Sequence, residues 1–155
     1  MLETATVTRT ELARKTRQIL DRVRRGQTVV VKGYGEEQVV VMDITDYRLL
    51  RAIAAYQSLP SHPAPINDER IEPRGLTEEE VEEAVRRAEG DPQARWDRVM
   101  AAYLDGHISL GRAAELLGLT RYELQERLGR LGLPLRIGPA TIEEARAEVE
   151  ALRRW

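Results

Sequence analysis

The fold is decided by the stretch TATVTRTELARKTRQILDRVRRGQTVVVKGYGEEQVVVMDITDYRLL, residues 4–50. A β-branched run at its start predicts a strand over residues 3–6. Thr8 or Thr10 can then cap a helix, and Gly26 is a common type of stop signal for its end. The apolar positions of this helix repeat at helical spacing and predict one buried face: Leu12, Thr16, Ile19, Leu20 and Val23.

Two strands are predicted after this helix, over residues 28–32 and 38–42, with the five residues GYGEE as the loop of a hairpin. Both strands contain unbroken apolar runs, VVV and VVVM, rather than alternating polar and apolar residues. Such runs predict a sheet that is covered on both faces. The first helix covers one face, so the other face requires a second helix or a second subunit. A helix capped by Asp43 or Thr45 follows and extends to about residue 56.

The chain changes character after these elements. Residues 58–75 contain four prolines and little periodicity, which indicates a linker or an extended segment. Helical patterns then resume, each with its own capping residue: Thr77, Asp91, Ser109, Thr120 and Thr141. The sequence therefore predicts an α+β protein with a small α/β module over 1–56, a proline-rich segment over 57–76 and an all-helical module over 77–155. Units this small favour oligomerisation or a bound partner.

The composition narrows the function classes. The 155 residues include no cysteine and two histidines in unrelated contexts, His62 and His107, so neither a disulfide nor a zinc site is expected. The sequence offers no nucleophile–base pair and no phosphate-binding loop, so we expect no catalytic residues, no cofactor and no enzyme. It has no apolar run long enough for a membrane span and no secretion signal, so we expect a cytoplasmic protein.

Charge is distributed unevenly, although the net charge is only −2. Residues 1–50 carry 9 basic against 7 acidic side chains, whereas residues 51–90 carry 5 against 9, which predicts two surfaces for two kinds of partner. Arg9 and Thr10 lie at the start of the first helix, where phosphate groups bind readily. Further candidate DNA contacts lie mostly off its apolar face: Arg14, Lys15, Arg17, Arg22, Arg24 and Arg25. The alternative is an ordinary solvated helix face.

Residues 109–131 have the pattern of a helix-turn-helix. Ala113 and Ala114 are small where two helices would cross, and Gly118 lies in the turn. The apolar residues of the second helix are predicted to pack inward: Leu124, Leu128 and Leu131. In a DNA-binding role, its outer contacts would be Arg121, Tyr122 and Gln125. The alternative is a compact helical hairpin, since Glu123 and Glu126 oppose the approach of phosphate.

The stretch over residues 4–50 resembles the Phd/YefM family of antitoxins. The matching features, in order and spacing, are Thr10-Glu11-Leu12, Leu20-Asp21-Arg22-Val23, Gly26, Val29–Val31, Val39–Val41 and Asp46-Tyr47. Thr16 and the sequence of the hairpin loop depart from the family pattern. The resemblance implies a homodimer with a shared α+β layer, whose N-terminal face binds operator DNA and whose C-terminal segment wraps a toxin.

A later stretch, YLDGHISLGRAAELLGLTRYELQERLGRLGLPL, is similar to uncharacterised prokaryotic proteins encoded beside PIN-domain toxins. Together the two resemblances imply the antitoxin of a type II toxin–antitoxin pair, which neutralises a PIN-type ribonuclease and represses its own operon. The expected toxin contacts follow residue 58: Leu59, Ile66, Arg70, Ile71, Arg74, Trp96 and Tyr103. Arg70 or Arg74 would reach carboxylates in the metal site of the toxin. The alternative is a pure protein-interaction module, a neutraliser or scaffold without DNA binding.

The acidic residues over 77–89 admit two interpretations. The helix can imitate RNA phosphates in the basic groove of a ribonuclease toxin. It can equally be an ordinary amphipathic helix with four residues facing inward: Val81, Ala84, Val85 and Ala88.

Overall fold

The computed structural model describes residues 4–58, 78–88, 90–133 and 135. Its elements in chain order are β1 (Thr4–Thr8), α1 (Arg9–Arg14), α2 (Thr16–Arg24), β2 (Thr28–Gly33), β3 (Glu36–Val41), α3 (Ile44–Gln57), α4 (Glu78–Arg87), α5 (Pro92–Leu104), α6 (Leu110–Leu116) and α7 (Arg121–Leu131). One three-stranded sheet is combined with helices, so the predicted α+β class is confirmed. Within the described ranges no helix is both long and apolar enough to cross a membrane.

The sheet has β2 at its centre, parallel to β1 and antiparallel to β3. Val7 on β1 and Val39 on β3 both lie beside Val31 on β2. Helices α1 and α2 pack on one face of this sheet. The small aliphatic core between these layers contains Val7, Ile19, Val23, Val29 and Val31, with Leu12 and Val41 packed against it.

The first predicted helix is in fact two helices, α1 and α2, which meet at Lys15. The backbone of Lys15 is not helical, with φ −118° and ψ 26°, and the hydroxyl of Thr16 donates to the carbonyl oxygen of Leu12 over 2.6 Å. The break rotates α2 relative to α1, so that Ile19 and Val23 face the sheet. Leu20 then points outward with 42% of its surface exposed, so its predicted place in the core, like that of the exposed Thr16, is wrong.

The second face of the sheet remains open. Val30 and Val40 are paired across β2 and β3 and lie on the face opposite α1 and α2. Val40 is 54% exposed, and Val30 is only half-buried. Among the described residues no second helix covers this face, and its cover by a second subunit stays a prediction.

Helix α3 packs into the helical part of the molecule rather than onto the sheet. Its residues Leu49, Ala52 and Ile53 are buried together with side chains of α4 to α7 in the larger of two cores. The hydroxyl of Tyr56 also donates to Asp105, at the end of α5, over 2.6 Å. The helix thus joins the strands to the helical core, and the division of the chain at residue 56 stays a prediction.

Candidate nucleic-acid interface

A capping box fixes the start of α1. Thr8 Oγ1 accepts from the backbone N–H of Glu11 over 3.1 Å, and Glu11 Oε2 accepts from the N–H of Thr8 over 2.8 Å. The hydrogen bonds from Thr8 hold the pKa of Glu11 below its usual value. The carboxylate is therefore engaged by the end of its own helix, where the exposed N–H groups favour negative charge.

The predicted DNA contacts of the N-terminal module all lie on the surface. Residues 9–25 contain seven basic side chains and only two acidic ones, Glu11 and Asp21. All seven basic side chains are exposed. In the described part of the chain, the ion pair within this stretch joins Arg24 to Asp21 at 4.0 Å. Arg9, Thr10, Arg14, Lys15 and Arg17 are exposed, as the prediction requires. The two helices therefore present a surplus of positive charge, which we call the α1–α2 basic surface.

The helix pair predicted over 109–131 is present as α6 and α7. Ser109 and Thr120 cap the two helices, and Gly118 adopts a left-handed backbone with φ +72° in the turn between them. Ala113 and Ala114 are fully buried, which lets the two helices approach closely. Leu124, Leu128 and Leu131 also lie in the core, as predicted. The role of this pair in DNA binding stays a prediction.

The outer face of α7 carries little net charge. Arg121, Tyr122 and Gln125 are exposed, with 75% of the Tyr122 surface accessible. Glu123 accepts from the N–H of Thr120 over 2.8 Å, and this hydrogen bond lowers the pKa of Glu123. The carboxylate of Glu123 thus caps its own helix. Glu126 lies 3.8 Å from Arg130 and remains largely exposed.

A buried ion cluster, which we call the Asp46 cluster, joins α7 to the start of α3. It consists of Asp43, Asp46, Arg127 and Arg130. Asp46 is 2% exposed, and its two oxygens accept from Arg127 Nη1 over 2.6 Å and from Arg130 Nη2 over 2.7 Å. Arg127 Nη1 also reaches Asp43 Oδ1 over 2.9 Å, while the same carboxylate caps α3 through the N–H of Thr45. Two of the three arginines of α7 are therefore bound within the molecule.

The surroundings of Arg127 favour its charged form. Burial alone would lower the pKa of Arg127. The hydrogen bond to Asp46 and the negative charges of Asp46 and Asp43 raise it by more, so the net change in the pKa is upward. Buried charges of this kind are tolerated because both partners are hydrogen-bonded. Sequence reasoning did not find this cluster. Its signal was the matching three-residue spacing of the two aspartates and the two arginines.

The cluster also reaches the end of α2. Gly26 follows α2 with φ +95°, and a Cβ atom built there would collide with the guanidinium of Arg130. Arg130 therefore lies directly against the backbone at Gly26. The C-terminal ends of α2 and α7 meet at this contact.

The predicted toxin contacts divide into two groups. Trp96 and Tyr103 lie in the helical core, with 9% and 1% of their surfaces exposed, because they face inward from α5 beside Met100. Their assignment to a toxin contact is therefore wrong for Tyr103, and for Trp96 it is limited to the edge that lines a pocket. Leu59, Ile66, Arg70, Ile71 and Arg74 lie outside the described residues.

That pocket lies between α4, α5 and α6 and has a volume of about 550 Å³. Its apolar floor includes Val85, Trp96 and Leu116. Its charged lining consists of three arginines and two acids: Arg48, Arg86, Arg95, Glu82 and Asp91. Arg95 Nε donates to the carbonyl oxygen of Leu116 over 2.8 Å. In the described ranges, no three His, Asp or Glu side chains are grouped to hold a metal ion.

Helix α4 is amphipathic, as one of its two interpretations requires. Val81, Val85 and Ala88 are buried, and Ala84 is half-buried. Its acidic side chains are partly engaged within the chain: Glu82 with Arg112, and Glu83 with Arg86 and Arg87. Thr77 and Glu89, the predicted ends of this helix, lie outside the described residues.

The fold and these surfaces define a small α+β protein with a basic helical surface and an attached helical core. Comparison with known proteins identifies its family. Residues 77–154 match the model of the uncharacterised protein family UPF0175, and the chain belongs to this family. A UPF0175 protein from Archaeoglobus fulgidus is 38% identical over 73 residues, which cover 47% of this chain and 76% of that relative. No solved structure matches the chain. The family match lies outside residues 4–50, so the resemblance of that stretch to Phd/YefM antitoxins stays a prediction.

Proposed function

We propose that the protein is the antitoxin of a type II toxin–antitoxin pair, a cytoplasmic non-enzyme that acts without a cofactor. In this role it represses its own operon by binding operator DNA and neutralises a toxin by direct contact. The observation that carries the proposal is the α1–α2 basic surface, which has seven exposed cationic side chains and two acidic ones. One of these acids, Glu11, already caps its helix.

DNA binding follows from the state of those cations. Arg14 and Arg17 form no ion pair within the described residues, and Lys15 forms none either, although its charge acts on Glu11. All three are therefore available to phosphate groups. Each phosphate contact releases condensed counterions, which gives affinity that falls steeply with salt. Arg9 and Thr10, on the first turn of α1, add the N-terminal end of a helix to this surface.

Dimerisation is supported by the open face of the sheet. Val40 lies on this face and is 54% exposed, and two further exposed apolar side chains, Ile44 and Tyr47, follow at the start of α3. A monomer gains free energy by burying such residues against a second copy. A dimer also doubles the basic surface presented to a pseudo-palindromic operator.

The toxin contact is assigned to the part of the chain after residue 58, and the toxin is a PIN-type ribonuclease. Support comes from the similarity of the later stretch to proteins encoded beside such toxins. The pocket between α4 and α6, with its apolar floor and a charged lining of three arginines and two acids, suits an apolar side chain flanked by polar groups.

A second candidate is a protein-interaction module that does not bind DNA. The Asp46 cluster favours it, since two of the three arginines of α7 are engaged internally. The net charge of −2 points the same way. The two candidates differ in whether the α1–α2 basic surface binds a duplex.

The test of the proposal uses the full chain, because α3 belongs to the helical core and a cut near residue 56 would remove part of that core. A mobility shift with DNA from upstream of its own gene should show retardation at low salt. No retardation, with or without the product of the neighbouring gene, would reject repression.

Growth rescue tests the toxin assignment. Co-expression with the toxic neighbouring product should restore growth, and the variant Arg48→Glu, Arg86→Glu should lose rescue while retaining DNA binding. Arg98→Glu, an exposed charge reversal away from that pocket, is the matched control. Rescue that survives the double reversal would move the toxin contact elsewhere.

A further inference from the structure

Two helices that carry candidate DNA contacts are held together at one end. Arg127 and Arg130 of α7 bind the buried carboxylate of Asp46, and Arg130 also lies on the backbone of Gly26, just after α2. The ion pairs therefore fix the C-terminal half of α7 to the start of α3, and they hold the guanidinium of Arg130 at the residue that follows α2. The opposite ends of both helices carry exposed polar residues, Arg17 on α2 and Arg121 on α7.

The lengths of the helices limit the distance between these two ends. At 1.5 Å per residue, Arg17 lies about 13.5 Å from Gly26 along α2, and Arg121 lies about 13.5 Å from Arg130 along α7. Whatever the angle between the helices, the two positions are then separated by less than one turn of B-DNA, about 34 Å. Both helix ends are within reach of a single short stretch of duplex.

We infer that Asp46 is a positioning residue for DNA binding: its ion pairs hold α7 against the start of α3 and place the guanidinium of Arg130 on Gly26, so that α7 and α2 contact the same duplex as one rigid surface. The inference rests on the proposed DNA binding. It goes beyond that proposal because it makes the α6–α7 pair part of the operator site and gives a role to residues that touch no DNA.

The chemistry of the cluster suits a rigid joint. Each oxygen of Asp46 accepts from a different arginine, so the carboxylate fixes two points of α7 one turn apart. Arginine suits this task because its planar group loses little freedom for each hydrogen bond that it makes. Gly26 lets Arg130 approach the end of α2, where a side chain would displace it. A surface held in its binding geometry loses less entropy when it binds.

A purely structural role for the cluster makes a different prediction. If Asp46 only stabilises the fold, its loss changes stability, while each DNA contact keeps its own effect on affinity. If Asp46 positions α7, its loss removes α7 from the duplex, and substitutions on α7 then cease to matter. The interaction between two substitutions, measured in a double-mutant cycle, separates these cases.

The experiment measures the affinity of the full-length protein for DNA from upstream of its own gene, by fluorescence anisotropy at fixed salt. We expect Asp46→Asn to weaken binding about tenfold, because two linked contacts become independent. Arg121→Ala should weaken the natural protein about fivefold, as expected for one charge-assisted contact, and should have no further effect in the Asp46→Asn background. Arg17→Ala should have the same effect in both backgrounds, and Asp21→Asn, an exposed aspartate, is the matched control.

A second variant guards against loss of folding. If Asp46→Asn lacks the helical circular dichroism of the natural protein, Arg130→Gln replaces it, since it removes the guanidinium that lies on Gly26 and leaves Asp46 paired with Arg127. The inference is overturned if Arg121→Ala has the same effect with and without the joint, or no effect in the natural protein. If the natural protein binds no DNA, the inference and the proposed repression fail together, whereas an unchanged Asp46→Asn affinity rejects the inference alone.

Discussion

Helices α1–α2 and helix α7 begin in the same way and end in different environments. Thr8 with Glu11 and Thr120 with Glu123 form matching capping boxes, and basic residues follow in both regions. In α1–α2 these cations are exposed, whereas Arg127 and Arg130 of α7 are bound to buried Asp46. The difference shows that a basic residue on a helix is an interface candidate only when no acid elsewhere in the chain binds it.

The largest effect on stability is expected at the Asp46 cluster. Asp46→Ala should lower the free energy of unfolding by about 3 kcal/mol, because it leaves two partly buried guanidinium groups without their shared partner. Urea denaturation followed by circular dichroism measures this change. Asp21→Ala, on the exposed side of the comparison, should change stability by less than about 0.5 kcal/mol. Equal effects of the two substitutions would contradict the distinction between the regions.

The two capping boxes should contribute equally. Thr8→Ala and Thr120→Ala should each lower the free energy of unfolding by about 1 kcal/mol, because each removes a side-chain acceptor from the first turn of a helix. Thr8→Ala should weaken DNA binding, measured as a mobility shift, more than Thr120→Ala does, since α1 starts the basic surface whereas α7 supplies the single charged contact of Arg121. A larger loss of affinity from Thr120→Ala would reverse the roles of the two regions.

The pH dependence of the capping boxes has a defined sign. The hydrogen bonds from Thr8 and Thr120 lower the pKa of Glu11 and of Glu123 below the ordinary 4.5. A lowered folded-state pKa means that the stabilisation is present above 4.5 and is lost as the pH falls through the lowered value. NMR titration should show both pKa values below 4.5, and Thr8→Ala should raise that of Glu11 only part of the way, because the larger hydrogen bond, from the backbone N–H of residue 8, remains. An unchanged pKa of Glu11 in that variant would rule out the hydroxyl of Thr8 as a cause.

The smallest effect is expected at Gly129, in the interior of α7. A Cβ atom there would meet nothing within 4 Å, so the position has room for alanine. Gly129→Ala should raise the free energy of unfolding by about 0.5–1 kcal/mol, because alanine loses less backbone entropy in a helix. Thermal denaturation measures the gain. A loss of stability would show that neighbouring atoms leave no room for a methyl group at this position.

The sequence predicts the local parts of this fold well. Asp91 and Ser109 begin helices as predicted, because a capping hydrogen bond joins residues two or three positions apart. The break at Lys15 was missed, since a helical apolar pattern continues across it. The packing partner of α3 and the Asp46 cluster were also missed. Arg127 and Asp46 are 81 residues apart, and no local pattern tells which acid binds which base.

The α1–α2 basic surface was likewise only partly predictable from the sequence. Its exposure was predictable from the position of its cations off the apolar face of the helix. The absence of ion-pair partners for these cations could not be predicted, because partners come from distant parts of the chain. Asp46 of α3 binds two arginines of α7, whereas none of the described acids binds Arg14 or Arg17.

The central claim, that α1–α2 is the DNA-binding surface, is tested most directly by the salt dependence of operator binding. The natural protein and the variant Arg14→Glu, Arg17→Glu are titrated onto the same upstream DNA at several salt concentrations, with Arg98→Glu as the control. The account predicts steep salt dependence for the natural protein and the control, at least about 100-fold weaker binding for the double variant at low salt, and a log–log slope shallower by about two. Binding by the double variant with the affinity and slope of the natural protein would contradict it.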